Sequence, residues 1–227
     1  MILFHGSVKV IEEPRYGAGR NDNDYGQAFY CTDRIELARE WAAVSENGGF
    51  VNAYSMDMDG MNLLDLRLSF PAEGQLINEN NVEGILRWLS LLVNYRHLRL
   101  GSPVERKGRD YLISRYLPDL TDVDCILGYR ADDSYFSFAR AFLSNTTTLG
   151  QLALAMYLGD LGLQYAIRSA RMFDRLKFGG AEPVDGSMYY PMRIHRDHAA
   201  REKYRKLLEE EASDGLYLSD LMRRGRR

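Results

Sequence analysis

The sequence predicts an α+β fold, and three observations predict it. Short apolar runs rich in strand-forming residues stand at 2–7, 29–32, 50–58, 64–70, 124–128 and 163–167. Stretches with apolar residues at helical spacing fall between them in no regular alternation. No Gly-x-Gly-x-x-Gly, phosphate-binding loop or His-Glu-x-x-His is present, so the doubly wound pattern is not expected.

Taken in order, Ile2-Leu3-Phe4-His5-Gly6-Ser7 reads as a short strand ending in His-Gly-Ser. A glycine directly after the histidine lets another group approach the backbone closely. Residues 13–24 form a polar loop with Arg20 in its middle, either a lid over a site or a solvated crossing. The rest of the chain is organised around the stretch from Asp24 to Trp41. Phe29, Tyr30, Cys31 and Thr32 suit a strand. Thr32 or Asp33 caps the helix that follows, with Glu36 placed to complete a capping box. Ile35, Leu37, Ala38, Trp41 and Ala42 give that helix an apolar face. An aromatic strand turning straight into a helix sets a flat ring beside free N–H groups, which suits a planar ligand carrying phosphates. A core strand with its packing helix is the plain alternative.

A strand over 50–58 ends in a turn at Asp59-Gly60, and 64–70 alternates as a half-buried strand that Pro71 stops. Val82, Ile85, Leu86, Leu89, Leu92 and Val93 mark one buried helix face, with Trp88 off the stripe. Residues 101–108 read as a polar loop and 110–117 as a helix. After the strand at 124–128, Asp132 and Asp133 are placed to cap a helix over 134–143. Thr148-x-x-Gln151 is a capping box for a helix through Tyr157, with Gly159 as its stop. The strand at 163–167 carries Gln164, and a short helix follows from Ser169. Gly179-Gly180 and Glu182-Pro183 are expected to break the chain. Beyond Pro191 come charged helical segments over 196–211 and 216–224, giving a main domain over 1–190 and a helical extension over 191–227.

The 227 residues with 45% hydrophobic content support one sizeable core. A net charge of −3 gives no general attraction to nucleic acid. Cys31 and Cys125 lie in apolar strands and are expected to be reduced and buried, which points to the cytoplasm. No signal peptide or membrane span is expected. His195-x-x-His198 has the spacing of a metal pair but no third ligand in view, so a surface helix is expected and no metal.

His5-Gly6-Ser7, then Gly26-x-x-Phe29-Tyr30, then Trp41 eleven positions later, together resemble the ADP-ribosyltransferase superfamily in its histidine–tyrosine–glutamate branch. The pattern Asp24-Tyr25-Gly26-Gln27-Ala28-Phe29-Tyr30-Cys31-Thr32, Trp41-Ala42, Asp124 to Asp133 and Gln164-Tyr165 resembles a bacterial family within it, from about Met1 to Phe178. The resemblance implies a split β-sandwich that holds NAD, as co-substrate, in a cleft between two small sheets. It implies that His5 hydrogen-bonds the ribose and that Gly6, in the His-Gly-Ser motif with Ser7, meets the carboxamide. Tyr30 and Trp41 would stack on the nicotinamide, and Gln164 would stand at the third catalytic position. Arg20 is either a contact to the diphosphate or a solvated loop arginine.

Three positions depart from the branch: Ala28 replaces a glycine, Ala38 a carboxamide-binding serine, and Gln164 a glutamate. A glutamine orients a hydroxyl but takes no proton and carries no charge. The acceptor then brings its own nucleophile, or Asp24, Asp132 or Asp133 supplies the charge, or the protein binds NAD without turnover. The implied activity is mono-ADP-ribosylation of a protein or nucleic acid, as an effector of a toxin–antitoxin or antiphage system with an antitoxin partner. A non-catalytic NAD or ADP-ribose binding module and an NAD glycohydrolase are the alternatives.

Overall fold

Strand β1 (Ile2–Ser7) pairs antiparallel with β3 (Gly49–Met56), which pairs antiparallel with β7 (Leu176–Val184). A second sheet runs in the order β2 (Phe29–Cys31), β6 (Leu163–Ile167), β5 (Cys125–Tyr129), β4 (Leu63–Asp65), antiparallel except between β4 and β5. The two sheets touch where Phe4 of β1 bridges Thr32 just beyond β2, with N–H to carbonyl distances of 2.7 and 2.9 Å in the two directions. These are features of a computed structural model that describes residues 1–67, 79–131, 133–155, 162–210 and 215–225. The architecture is a mixed α+β fold with two sheets and several helices, as the sequence predicts at that level.

Helix α1 (Ile35–Ala42) packs on the three-stranded sheet through Ala38 and Ala42. The larger core lies among α2 (Glu79–Tyr95), α3 (Pro103–Tyr116), α4 (Asp133–Leu143) and α5 (Leu149–Ala155). The expected stripe of α2 is buried apart from half-buried Val82, and so are Trp88 and Leu91, leaving Glu83, Arg87 and Asn94 as a narrow exposed line among the described side chains. Trp88 donates its Nε1–H to the Tyr25 hydroxyl at 3.1 Å, which satisfies an indole otherwise costly to bury. The short α6 (Ala170–Phe173) precedes β7, and α7 (Gly186–Glu210) and α8 (Leu218–Arg224) end the chain.

Several expectations are corrected. Helix α3 begins at Pro103, inside the stretch read as loop. Ser102 and Glu105 form a reciprocal capping box at 3.1 and 2.9 Å, and Pro103 stands where a missing N–H costs nothing. Neither Thr32 nor Asp33 caps α1: the N-cap is Arg34 without a side-chain bond, and Asp33 Oδ2 accepts from the Tyr165 hydroxyl at 3.4 Å. The chain does not break at 179–183, because β7 runs through it. Gly180 takes the irregular backbone (φ +127°) beside the register shift at Ala53/Tyr54, and Pro183 sits on an edge strand, where its missing donor is tolerated. Strand β4 stops at Asp65, and residues 68–71 lie outside the described residues, as do Asp132, Tyr157 and Gly159. The Thr148/Gln151 capping box forms at 2.9 and 3.1 Å. Helix α7 spans residues 186–210, so the expected boundary at 190 falls inside it, with Pro191 in an early turn.

Two further motif residues have structural reasons. Asp124 accepts from Asn62 N at 2.8 Å, Ser169 Oγ at 2.6 Å and Arg171 Nε at 2.7 Å. The Arg171 guanidinium, helped by Ser169 and Asn62, holds its carboxyl at about 2. Gly128 leaves room for Tyr25, since a Cβ there would stand 2.3 Å from the tyrosine hydroxyl. Cys31 and Cys125 are free, buried thiols in one small cluster, and burial pushes the Cys125 thiol up to about 12. Among the described residues no helix is long and apolar enough to cross a membrane.

Candidate functional site

The junction of the two sheets brings the ends of β1 and β2 together, and His5 and Tyr30 meet there. His5 Nδ1 lies 2.7 Å from the Tyr30 carbonyl oxygen. A carbonyl only accepts, so Nδ1 carries the proton. Burial holds the imidazole pKa below its usual 6.5, the ring is neutral at pH 7, and Nε2 is left as an acceptor. The ring also stacks on Phe29 with centroids 4.5 Å apart, which fixes its plane.

Tyr30 presents its ring rather than its hydroxyl. The hydroxyl donates to the Gly26 carbonyl at 2.7 Å and accepts from Tyr25 N at 3.0 Å, stapling the turn at 24–26 onto β2. Burial, with Asp24 nearby, pushes its pKa far upward, so it serves as neither acid nor base. That turn places Asp24, which is 5% exposed. Its Oδ2 accepts from Ala131 N at 2.9 Å and from Gln164 Nε2 at 2.8 Å. Its Oδ1 accepts no hydrogen bond among the described residues and lies 3.7 Å from Arg96 Nη1. Burial raises the Asp24 pKa, opposed by the Ala131 N–H, Arg96 and Gln164. Of the acids proposed to stand in for a glutamate, Asp24 is therefore in direct contact with Gln164.

Gly6 is required by packing before any ligand is considered. A Cβ there would stand 2.1 Å from the Ala38 carbonyl oxygen and 2.7 Å from Ala42 N, so glycine lets α1 lie against β1. That contact sets Trp41 beside the strand. The Arg130 guanidinium lies 5.2 Å from the Trp41 ring centroid, and the buried indole Nε1 has no hydrogen-bond partner among the described residues. Ser7 belongs to a polar knot: its Oγ accepts from Asn52 Nδ2 at 3.1 Å and donates to the Lys9 carbonyl at 2.5 Å.

His5, Gly6, Tyr30, Trp41 and Gln164 line one cleft of about 660 Å³ together with Asp24. Ser7 and Arg20 do not line it. Arg20 lines a second cavity of about 1250 Å³ beneath residues 9–20, which shares His5 and Tyr30 with the first. Its side chain is 77% exposed and pairs with Asp22 at 2.6 Å. Among the other lining residues of the smaller cleft, sequence reasoning missed Arg96, Arg130 and, from α7, Tyr190, Arg193, Ile194, Asp197 and Arg201. The α7 positions follow helical spacing, a signal open to sequence analysis, but their charge marked them as a solvated face. His195 and His198 are exposed on α7, and among the described residues no three potential metal ligands cluster.

The cleft thus offers an aromatic wall, a neutral imidazole acceptor, a buried carboxyl held by an amide, and several guanidinium groups. The chain matches the family described as "Protein of unknown function (DUF3990)" over residues 1–178, and it belongs to that family. No curated protein and no solved structure gave a match.

Proposed function

We propose that this protein is an NAD-dependent mono-ADP-ribosyltransferase acting on a macromolecular acceptor. The observation that carries the reading is the convergence of His5, Gly6, Tyr30, Trp41 and Gln164 on one cleft at the split between two sheets. These residues come from three separate stretches of sequence, and a plain packing role does not require them to share a cavity.

In this reading, the Trp41 and Tyr30 rings bracket the nicotinamide. His5 Nε2 accepts a hydrogen bond from a hydroxyl of the adjoining ribose, a role that its fixed Nδ1 tautomer permits. The rest of the dinucleotide passes His5 and Tyr30 into the larger cavity, where Arg20 is the candidate diphosphate contact. The bond from ribose C1′ to the nicotinamide nitrogen breaks, and the ring leaves with the bonding pair. The acceptor's nucleophile then bonds to C1′ and releases its proton to solvent. Gln164 orients a ribose hydroxyl, and ionised Asp24 lowers the energy of positive charge gathering on the ribose. An effector role in a bacterial conflict system, with an antitoxin partner, extends the same reading by resemblance alone.

Incubation of the chain with NAD labelled in the adenosine half and a cell lysate tests it. Label on a macromolecule with nicotinamide released supports the transferase, and free ADP-ribose as sole product marks a glycohydrolase. No binding and no turnover overturns both. One observation favours the non-catalytic module: burial favours the neutral form of Asp24, which withholds the charge that turnover needs. Calorimetric binding of NAD without nicotinamide release would establish that alternative.

A further inference from the structure

Two side chains of the smaller cleft, His5 from β1 and Gln164 from β6, are each held by one nitrogen and left with an acceptor atom that makes no hydrogen bond among the described residues. For His5 that atom is Nε2, because Nδ1 donates its proton to the Tyr30 carbonyl. For Gln164 it is Oε1, and Asp24 makes it so. Gln164 Nε2 donates to Asp24 Oδ2 at 2.8 Å, and the same Oδ2 accepts from Ala131 N at 2.9 Å. An amide oxygen in the place of Nε2 would set two acceptors against each other. Tyr25 agrees with this direction. Burial raises its pKa, and the Gln164 side chain opposes the rise, as an amide N–H does and an amide oxygen does not. Asp24 Oδ1 accepts no hydrogen bond, while Oδ2 takes two N–H donors. A proton bound by Asp24 therefore sits on Oδ1, and the amide keeps its direction in both charge states. The cleft thus presents two fixed acceptors, one from each sheet. Hydroxyl groups on a sugar ring supply the matching donors, and an analogue that lacks one leaves an acceptor unpaired.

We propose that Asp24 is a positioning residue: it holds the Gln164 amide with Oε1 toward the cleft, so that Gln164 and His5 select a ligand by the hydroxyl groups of a sugar. The identity of that sugar as the ribose beside the nicotinamide rests on the transferase reading, but the direction of the amide does not. The role is separate from the charge of Asp24, since a neutral side chain with an oxygen in the place of Oδ2 performs it.

Calorimetric titration of the full chain with ADP-ribose, and with analogues that each lack one ring hydroxyl of its terminal ribose, is the test. The parent is expected to bind ADP-ribose about tenfold tighter than at least one analogue. Gln164→Leu removes Oε1 and is expected to lose most of that preference. Asp24→Asn keeps an oxygen for both N–H donors and keeps the preference, whereas Asp24→Leu loses it. Equal preference in the parent and in Asp24→Leu overturns the positioning role. So does a loss in Asp24→Asn as large as in Asp24→Leu, which would make charge the cause. If Asp24→Leu does not fold, the NMR signal of the Gln164 amide gives a readout without ligand. Identified by its loss in Gln164→Leu, it should exchange its protons slowly in the parent and in Asp24→Asn. Fast exchange in the parent overturns the fixed amide. A slow amide in a chain that binds neither NAD nor ADP-ribose leaves the positioning standing and removes the transferase reading. ADP-ribose bound with no hydroxyl preference does the reverse.

Discussion

Asp24 and Gln164 share one hydrogen bond in the cleft, and the protonation of Asp24 decides whether a negative charge stands there. The folded pKa of Asp24 lies above its ordinary value of 3.8, with burial the largest cause. Its charge therefore costs stability once the pH rises past 3.8, and below 3.8 the cost vanishes. Asp24→Asn keeps an acceptor for Ala131 N–H without the charge. It is expected to be at least as stable as the parent at pH 8, with the difference fading as the pH falls toward 3.8. Nicotinamide release from NAD should drop at least tenfold in the same variant. Thermal unfolding across that pH range, beside a turnover assay, checks both halves. Gln164→Glu would install the residue type of the branch that the sequence resembles, but here it sets two carboxyls in contact, and they share a proton. Its unfolding temperature is expected to lie below the parent's, by more at pH 8 than at pH 5. An unchanged temperature at both would mean that Asp24 is not the neighbour that the geometry makes it.

At the level of elements, β1 and α1 approach so closely that only glycine fits between them. Gly6→Ala is expected to cost about 1–3 kcal/mol or more, since the obstacle is helix backbone rather than a flexible side chain. Denaturant unfolding measures that cost directly. The sequence made this contact legible in part: a glycine after His5 signalled close approach, but not that α1 was the approaching group. Strands β1, β2, β3, β5 and β6 and helices α1, α2 and α5 were readable from their apolar residues and periods, and for α5 the capping box agrees as well. The first half of helix α3 was masked by Arg106, Lys107 and Arg109, although Ser102-Pro103-x-Glu105 was there to be read, while its second half was expected. Strand β7 was hidden by Gly180 and Pro183, which an edge strand tolerates. The position of α7 was unreadable in principle: its pairs with Glu36 and Glu40 join residues 153 and 156 apart. The same distance in sequence kept Arg96, Arg130 and Arg193 out of the expected site. Glu40→Ala is accordingly expected to leave α1 formed and to loosen α7. Faster amide exchange confined to residues 186–210 would show it, and exchange unchanged there would show that α7 is held by its other contacts.

The molecule as a whole holds two small sheets joined at the Phe4–Thr32 bridge and through a cluster in which Leu3 and Met56 meet Cys31, Cys125 and Ile167, and His5 and Tyr30 line both cavities. A ligand spanning both cavities would add contacts that tie the sheets together, so its binding should appear as global stability. At a hundredfold excess over Kd, ADP-ribose is expected to add about 2.7 kcal/mol. For a chain of this size each kcal/mol raises Tm by about 2–4 °C, so the shift is about 5–11 °C. His5→Ala should remove most of it, because the imidazole stands at the point common to both cavities. The pH dependence follows from the same residue. Its folded pKa is held below 6.5 by burial, so Nε2 remains an acceptor from pH 8 down to 6.5. Below that window protonation turns Nε2 into a donor, and the stability that the neutral ring contributes is lost along with the hydrogen bond proposed to the ribose. The ADP-ribose shift is therefore expected to hold between pH 8 and 6.5 and to shrink as the solution is made more acid. A shift that is absent at pH 7.5, or equal in the parent and His5→Ala, would separate the two cavities from any shared nucleotide.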